Sequence, residues 1–315
     1  MISKDINPEL IKQAAKKAFN KCKDIEGGVN AHYIPFLANI PSQLFGLSIT
    51  LVNGQTFNFG DFDYVFGVES ISKVFTAILV MQEYGPQEIL RKIGADATGL
   101  PFNSILAILL ENDCPSTPLV NAGAISACSL IKPLGDSEKK WNAIQENFNR
   151  LCGSPTFVLE ELYKSESATN FDNRSIAWLL KNFGRIYDDP SMSLDLYTRQ
   201  CSIGVTAAQL SRCGAIIAGG GVDPITKEQI FDKEIAPKIT SLIATVGFYQ
   251  TTGDWMFNTG IPAKSGVGGG ILAIVPGVMG IAAFSPPLDE AGNSVKGQAV
   301  VKYLCNQLQL GIFNS

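Results

Sequence analysis

The sequence predicts an α+β fold, in which an antiparallel sheet built from the N- and C-terminal segments, with flanking helices, carries an inserted all-helical lobe. Strand patterns occur near both ends of the chain, at 46–59 and 271–284, whereas residues 61–219 show helical periods punctuated by glycine and proline. Pairing the terminal strands in one sheet is the simplest way to bury them. The chain has 315 residues, 46% of them hydrophobic, and can therefore bury a large core.

Each element is predicted from a local pattern. Residues 8–22 have a helical period, and Asn53-Gly54 between the strand patterns 46–52 and 55–59 predicts a hairpin with a type I′ turn. Helical periods in the middle block predict helices at 70–84, 102–111, 122–131, 139–152, 173–183 and 206–217. After the glycines 219–221 the sequence predicts a helix at 237–246, strands at 271–275 and 278–284, and a closing helix at 294–308.

These elements divide into two predicted lobes. The sheet lobe combines residues 1–60 with 220–315, and the helical lobe comprises residues 61–219. We expect the functional site in the cleft between the lobes, where ligands most naturally bind.

The composition excludes several kinds of site. Histidine occurs once, at His32, whereas a Ser-His-Asp triad needs an imidazole and metal sites usually need several ligands of this kind. We therefore expect no metal, no other cofactor and a general base other than histidine, and we expect His32 to be structural. The net charge is −4 and no polybasic run is present, which argues against a nucleic-acid partner.

Cysteine usage and hydropathy predict a cytoplasmic protein without membrane association. The seven cysteines form no CxxC pair, which is typical of buried thiols in a reducing compartment. The N-terminal segment 1–7 lacks the apolar region of a secretory signal. The longest nearly apolar stretch, 268–284, is interrupted by glycines and Pro276, so that it fits two strands better than a membrane span.

The motif Ser70-Ile71-Ser72-Lys73 opens an apolar helix and is a candidate nucleophile with its base. Residues three apart share a helix face, so the hydroxyl of Ser70 and the ammonium of Lys73 can touch. The free N–H groups of a helix N-terminus would stabilise a developing negative charge. A lysine that is desolvated beside a second cation can lose its proton near neutral pH and act as a base. The plainer interpretation is a serine N-cap followed by a solvated lysine.

A second motif, Lys264-Ser265-Gly266, precedes three glycines and a predicted strand. In serine enzymes with a Ser-x-x-Lys pair, a Lys-Thr-Gly or Lys-Ser-Gly strand lines the opposite side of the site. Lys264 is therefore a candidate for the second cation that lowers the pKa of Lys73. A backbone N–H beside the glycines could complete an oxyanion hole. The order of residues does not fit a phosphate-binding loop, in which the lysine follows its glycines.

Five segments carry a resemblance to a known family: Ser70-Ile-Ser-Lys-Val-Phe, Leu119-Val-Asn-Ala-Gly-Ala-Ile, Leu194-Asp-Leu-Tyr-Thr-Arg-Gln-Cys-Ser, Gly247-Phe-Tyr and Pro262-Ala-Lys-Ser-Gly-Val-Gly-Gly-Gly. In this order, and over most of the chain, they resemble the serine-dependent glutaminases. The resemblance implies a β-lactamase/transpeptidase-like fold. It also implies hydrolysis of the side-chain amide of L-glutamine to L-glutamate and ammonia through a glutamyl-enzyme intermediate.

The resemblance implies a role for each matching residue. Ser70 resembles the nucleophile, Lys73 the base that takes its proton, and Tyr249 the phenol that relays a proton to the leaving ammonia. The N–H groups of Ser70 and Val267 resemble the oxyanion hole, so these residues and Tyr249 would contact the substrate. The residues that resemble those holding the amino-acid end are Tyr33, Asn121, Glu166, Asn173 and Tyr197. An ammonium and a carboxylate do require an acceptor anion and neutral donors.

Plainer interpretations of these residues remain open at this point. Asn121 and Asn173 could be helix N-caps, and Glu166 could be a solvated surface acid. Tyr197 and Tyr249 could be half-buried packing residues. The chain also departs from the family pattern: Asn170, Asp172 and Glu69 stand where Gly, Arg and Gln, respectively, occur in other members. The changed charges could alter substrate affinity and the basicity of the lysine.

Two alternative functions remain. A serine β-lactamase or penicillin-binding enzyme shares both lysine motifs, but it expects Ser-x-Asn or Ser-Asp-Asn between them, and Leu-Val precedes Asn121 here. A non-catalytic amino-acid sensor would use the same pocket, but we see no attached signalling segment. The apolar, weakly charged composition favours a homo-oligomer, a dimer or a tetramer.

Overall fold

The computed structural model describes residues 6–314. The expectation that segment 1–7 lacks a secretory signal falls mainly on residues 1–5, which lie outside the described residues. In chain order the α-helices are α1 (Pro8–Cys22), α2 (Pro35–Ala38), α3 (Ser72–Tyr84), α4 (Pro86–Lys92), α5 (Ile105–Leu110), α6 (Asn121–Leu130), α7 (Ser137–Cys152), α8 (Glu160–Thr169), α9 (Phe171–Asn182), α10 (Pro190–Cys201), α11 (Ala207–Ala218), α12 (Ile235–Val246), α13 (Thr252–Thr259) and α14 (Val295–Leu308).

The strands are β1 (Gly46–Leu51), β2 (Thr56–Gly60), β3 (Phe66–Gly67), β4 (Phe157–Val158), β5 (Ile203–Val205), β6 (Ala263–Ser265), β7 (Gly270–Val275) and β8 (Met279–Phe284). Five of them form an antiparallel sheet in the order β2-β1-β8-β7-β6. β1 pairs with β8 from Gly46 opposite Phe284 to Leu51 opposite Met279. The prediction of an α+β fold with one antiparallel sheet built from both ends of the chain is therefore confirmed.

The predicted type I′ turn of the first hairpin is wrong. The Gly54 N–H donates to Leu51 O, and Leu51 N–H donates to Gln55 O. Gly54 alone adopts a positive φ, of 100°, whereas a type I′ turn would require one at Asn53 as well. The connection is a type I turn followed by a left-handed glycine, and Asn53 stabilises it by accepting a hydrogen bond from the Gln55 N–H.

Helices cover both faces of the large sheet. α1 and α14 pack on one face and α11 on the other. A Cβ atom on Gly280 would lie 2.3 Å from Ser211 O, so this glycine allows α11 to approach β8 closely. Every residue of β1, β7 and β8 is buried as a result.

The central helices pack around α3. α6, α7 and α12 contact it, and all ten residues of α6 are buried. Among residues 6–314, no helix is both long enough and apolar enough to cross a membrane. The division of the chain into lobes at residues 60 and 219 stays a prediction.

Several element boundaries differ from the prediction. The helix expected at 70–84 begins as a 3₁₀ turn, Glu69–Ile71, before α3. The helix expected at 102–111 is shorter because the Ser104 side chain caps α5 by accepting from the Ala107 N–H. The prediction omitted α2, α4, α8, α10 and α13. It also omitted the small sheet β3-β5-β4, whose strands are too short for a recognisable alternation.

A buried ion pair in the helical part predicts a large stability effect. Lys140 is completely buried, forms an ion pair with Asp188 and donates to Ser129 O at 3.0 Å. Removing one partner of a buried pair leaves the other charge unpaired, so we expect Lys140→Ala to lower the free energy of unfolding by about 3 kcal/mol. Lys139→Ala is the matched control because Lys139 is exposed, and it should cost less than about 1 kcal/mol. Urea unfolding of both variants measures the difference; equal losses would contradict the expectation.

Candidate active site

Ser70 and Lys73 meet at the start of α3. The 3₁₀ turn carries Ser70, and the first turn of α3 carries Lys73. Lys73 Nζ donates a hydrogen bond to Ser70 Oγ at 2.6 Å. Ser70 is 9% exposed and Lys73 is completely buried, so the interpretation as a solvated lysine is wrong. Burial lowers the pKa of Lys73, which favours the neutral amine that a base requires.

Lys264 lies close to this pair on β6. Its Nζ donates to Ser265 O at 2.8 Å and lies 4.0 Å from the centre of the Tyr249 ring. Burial, followed by repulsion from Lys73, lowers the pKa of Lys264 well below its usual range. Burial is thus the main cause of the lowered pKa of both lysines.

The glycine-rich loop after β6 brings Val267 to the serine. A Cβ atom on Gly268 would lie 2.2 Å from Gly67 O, so only glycine allows this close approach of the two backbones. Within residues 6–314, the backbone N–H groups of Ser70 and Val267 donate to no protein acceptor. Two free donors are therefore available beside the serine hydroxyl.

Two residues at the site have strained backbones. Glu69 has a φ of 49° and Tyr249 has a φ of 53°. Both values lie in the left-handed region that residues other than glycine rarely adopt. A conformation of this kind costs about 1–3 kcal/mol and persists where the surroundings enforce it. The strain lies next to Ser70 and at the phenol that the sequence analysis assigns to proton transfer.

The site opens into a cavity of about 250 Å³. Seven of the residues predicted to contact substrate line it: Tyr33, Ser70, Asn121, Glu166, Asn173, Tyr197 and Val267. Tyr249, Lys73 and Lys264 are buried and do not line the cavity. His32 is exposed, with its ring edge-on to Tyr33 at 5.9 Å.

A chain of hydrogen bonds joins three of the polar residues. Asn121 Nδ2 donates to Asn173 Oδ1 at 2.9 Å, and the Tyr197 hydroxyl donates to Asn121 Oδ1 at 3.0 Å. The N-cap interpretation of both asparagines is wrong, because the N-caps of α6 and α9 are Val120 and Asn170. Glu166 is not a solvated surface acid, since it is partly buried and lines the cavity.

Comparison with known proteins identifies the family. A family model described as Glutaminase matches residues 28–313. The chain belongs to the glutaminase family. A glutaminase from Bacteroides fragilis (strain YCH46) is 63% identical over 313 residues, which are 99% of this chain and 98% of that protein. Membership of this family makes the chain an amidohydrolase.

Solved structures confirm the fold. The structure of a probable glutaminase, ybaS, matches with a TM-score of 0.96 at 46% identity and covers 98% of this chain and 100% of that chain. The structure of Mglu in its glutamate form matches with a TM-score of 0.90 at 31% identity and covers 95% of this chain and 69% of that chain. The α+β architecture of this chain is thus shared with a solved structure of a probable glutaminase.

The glutaminase cavity also contains residues that sequence reasoning did not place there. Asn103 Nδ2 donates to Asp172 Oδ2 at 3.1 Å, and Asn170 Nδ2 donates to Thr198 Oγ1 at 3.2 Å. Cys201 lines the cavity too, but burial raises the pKa of its thiol to about 12. For Asn170 and Asp172, the departure from the glutaminase pattern was a signal in the sequence that could have indicated their place in the cavity. Among residues 6–314, no cluster of acidic, His or Cys side chains is arranged to hold a metal ion.

Proposed function

We propose that this chain hydrolyses the side-chain amide of L-glutamine through a covalent glutamyl intermediate on Ser70. The observation that carries the proposal is the 2.6 Å contact between Ser70 Oγ and the Nζ of the buried Lys73. A base within hydrogen-bond reach of a nucleophile is the arrangement that activates a hydroxyl. Burial supplies the lowered pKa that allows lysine to serve as this base.

In the proposed acylation, neutral Lys73 takes the proton of the Ser70 hydroxyl while Oγ bonds to the amide carbon of glutamine. The carbonyl oxygen becomes an oxyanion, and the free N–H groups of Ser70 and Val267 are placed to stabilise it. Collapse of this intermediate breaks the carbon–nitrogen bond and leaves a glutamyl ester on Ser70.

Tyr249 is proposed to supply the proton to the departing nitrogen. Its hydroxyl faces Ser70 and has no hydrogen-bond partner within the described residues. Burial raises the pKa of Tyr249, so the phenol is protonated and able to donate. The Lys73 ammonium, which carries the proton taken from Ser70, then returns a proton to Tyr249, whose ring lies against Lys264. A water molecule then attacks the ester and transfers a proton to Lys73. Collapse of the intermediate releases glutamate, and the Lys73 ammonium returns the proton to Ser70 Oγ.

The cavity suits the amino-acid end of glutamine. Its volume of about 250 Å³ fits a small free molecule. Glu166 would accept from the α-ammonium group, while Tyr33, Tyr197 and the two asparagines would surround the α-carboxylate and the rest of the backbone. Mglu, a structural relative, has been solved in its glutamate form, which is the product of the proposed reaction.

The experiment is ammonia release from L-glutamine by the purified protein, with a chromogenic β-lactam as the alternative substrate. Ammonia release without β-lactam hydrolysis would support the glutaminase function. Hydrolysis of the β-lactam alone would indicate the penicillin-binding alternative. Glutamine binding without release of ammonia would indicate a sensor.

We also propose a cytoplasmic homo-oligomer. All seven cysteines lie among the described residues as free thiols, which supports a reducing compartment. Three leucines of α5 are exposed by half or more of their surface, which supports self-association: Leu106, Leu109 and Leu110.

A further inference from the structure

Glu69, immediately before Ser70, has three unusual properties. Its backbone is in the left-handed region, its side chain is only 4% exposed, and its Oε1 has no hydrogen-bond partner within residues 6–314. A buried polar atom without a partner is costly, and native proteins satisfy nearly all of them. Glu69 also lines the cavity. The geometry therefore calls for a ligand that supplies a hydrogen-bond donor.

A second carboxyl group, that of Glu166 on α8, lines the same cavity. Two carboxylates that share a buried site cannot both ionise cheaply, so one of them retains a proton. Burial, followed by the charge of Glu166, raises the pKa of Glu69 well above its usual range. The pair is thus arranged to hold one proton in common.

The other ionisable groups around the pair do not replace this proton. A charge on Lys73, on α3, favours the ionised form of Glu69, but this effect is smaller than that of burial, which also disfavours the charge on Lys73. Burial, followed by repulsion from Lys73, lowers the pKa of Lys264 and so disfavours its charged form. The Asp172 carboxyl group also lines the cavity, where it accepts from Asn103. The remaining groups are a thiol and phenols that stay uncharged because burial raises their pKa: Tyr33, Cys201, Tyr197 and Tyr249.

We propose that Glu69 and Glu166 share one proton in the empty cavity and release it to solvent when the α-ammonium group of the substrate binds to both carboxylates. The singly protonated pair and the ammonium ion thereby become a doubly ionised pair that holds the ammonium, plus one free proton. The ammonium supplies the donor that Glu69 Oε1 lacks. This inference rests on the proposed function, because it takes glutamine as the ligand.

The direction of the pH dependence follows from this exchange. The bound ammonium lowers the pKa of the pair, so binding releases a proton wherever the empty pair is protonated. Affinity for glutamine is therefore weakened when the pH is below the raised pKa of the pair. It increases as the pH rises through that value and then levels off.

The test is calorimetric titration of the Ser70→Ala variant with L-glutamine in two buffers of equal pH and different ionisation enthalpy. We expect release of up to about one proton per glutamine at a pH where the empty pair is protonated. A double variant that combines Ser70→Ala with Glu69→Gln keeps the shape of the side chain at position 69 but removes its titrating group. Proton release on glutamine binding should then fall to about zero. Adding Glu161→Gln, an exposed acid on the same helix, is the matched control and should leave the release unchanged.

Glutamine binding without proton release, or release that persists after Glu69→Gln, would overturn the inference. Ammonia release by the wild type, measured in parallel, separates this failure from failure of the proposed function. If folded Ser70→Ala binds no glutamine, the inference is overturned as well. If the Glu69→Gln variant does not fold, the pH dependence of the wild-type KM for glutamine is measured instead. This KM should fall as the pH rises, and a pH-independent KM would contradict the shared proton.

Discussion

Replacing Ser70 by alanine is expected to reduce kcat for ammonia release from glutamine by roughly 10⁴-fold or more. The variant lacks the oxygen that contacts Lys73 at 2.6 Å, so no covalent glutamyl intermediate can form. The side chain removed is small, and the variant should fold. A coupled ammonia assay measures the loss, and circular dichroism verifies the fold.

Ser72→Ala is the matched control for this loss. Ser72 is also buried, but its hydroxyl contacts Cys201 Sγ at 3.4 Å and does not line the cavity. We expect its activity to fall by less than about tenfold, which corresponds to about 1.4 kcal/mol in the activation barrier. Retained activity in Ser70→Ala together with loss in Ser72→Ala would move the nucleophile to Ser72.

Replacing Lys73 by methionine is expected to lower kcat by roughly 10³-fold, because general bases contribute about 10²- to 10⁴-fold. Methionine fills similar space in this fully buried position without a charge, so the fold should persist. Lys73→Arg should be equally impaired, since a guanidinium group stays protonated and cannot act as a base. Steady-state kinetics of both variants measure the effect; substantial activity in Lys73→Arg would exclude the base role.

The pH dependence of kcat is a second test of the base role of Lys73. Burial lowers the pKa of Lys73, so the neutral, basic form accumulates as the pH rises through that lowered value. The kcat of the wild type should therefore increase with pH over this range. The residual kcat of Lys73→Met should lack this increase.

The large sheet could be predicted because its central strands are covered on both faces. β1, β7 and β8 therefore consist largely of apolar or small residues between turn signals, which is a pattern readable in the sequence. The serine–lysine contact could also be predicted, because a spacing of three residues places two side chains on one face of a helix.

Other elements had weaker or overlooked signals. α8 buries only Leu162, so that its sequence has little helical pattern. α10 did have a start signal, since the Asp189 side chain accepts from the Met192 N–H and Pro190 follows it. The hairpin turn was assigned the wrong type because Asn-Gly also fits a type I turn with a left-handed glycine.

Most relations within the site depend on tertiary structure. Asn121 and Asn173 are 52 residues apart in sequence, and no local pattern indicates their hydrogen bond. Likewise, α8 packs against α2 and α10, and the presence of Glu69 and Glu166 in one cavity depends on this tertiary arrangement. The family resemblance named together five side chains that we propose contact the substrate, but the lowered pKa of each lysine depends on its burial.

The covalent glutamyl intermediate is tested most directly by partitioning between water and added hydroxylamine. Glutamine and a γ-glutamyl ester differ in their leaving groups but would form the same ester on Ser70. We expect both substrates to give the same ratio of γ-glutamyl hydroxamate to glutamate at each hydroxylamine concentration, and Ser70→Ala to give neither product. A ratio that depends on the leaving group would contradict a common glutamyl-enzyme.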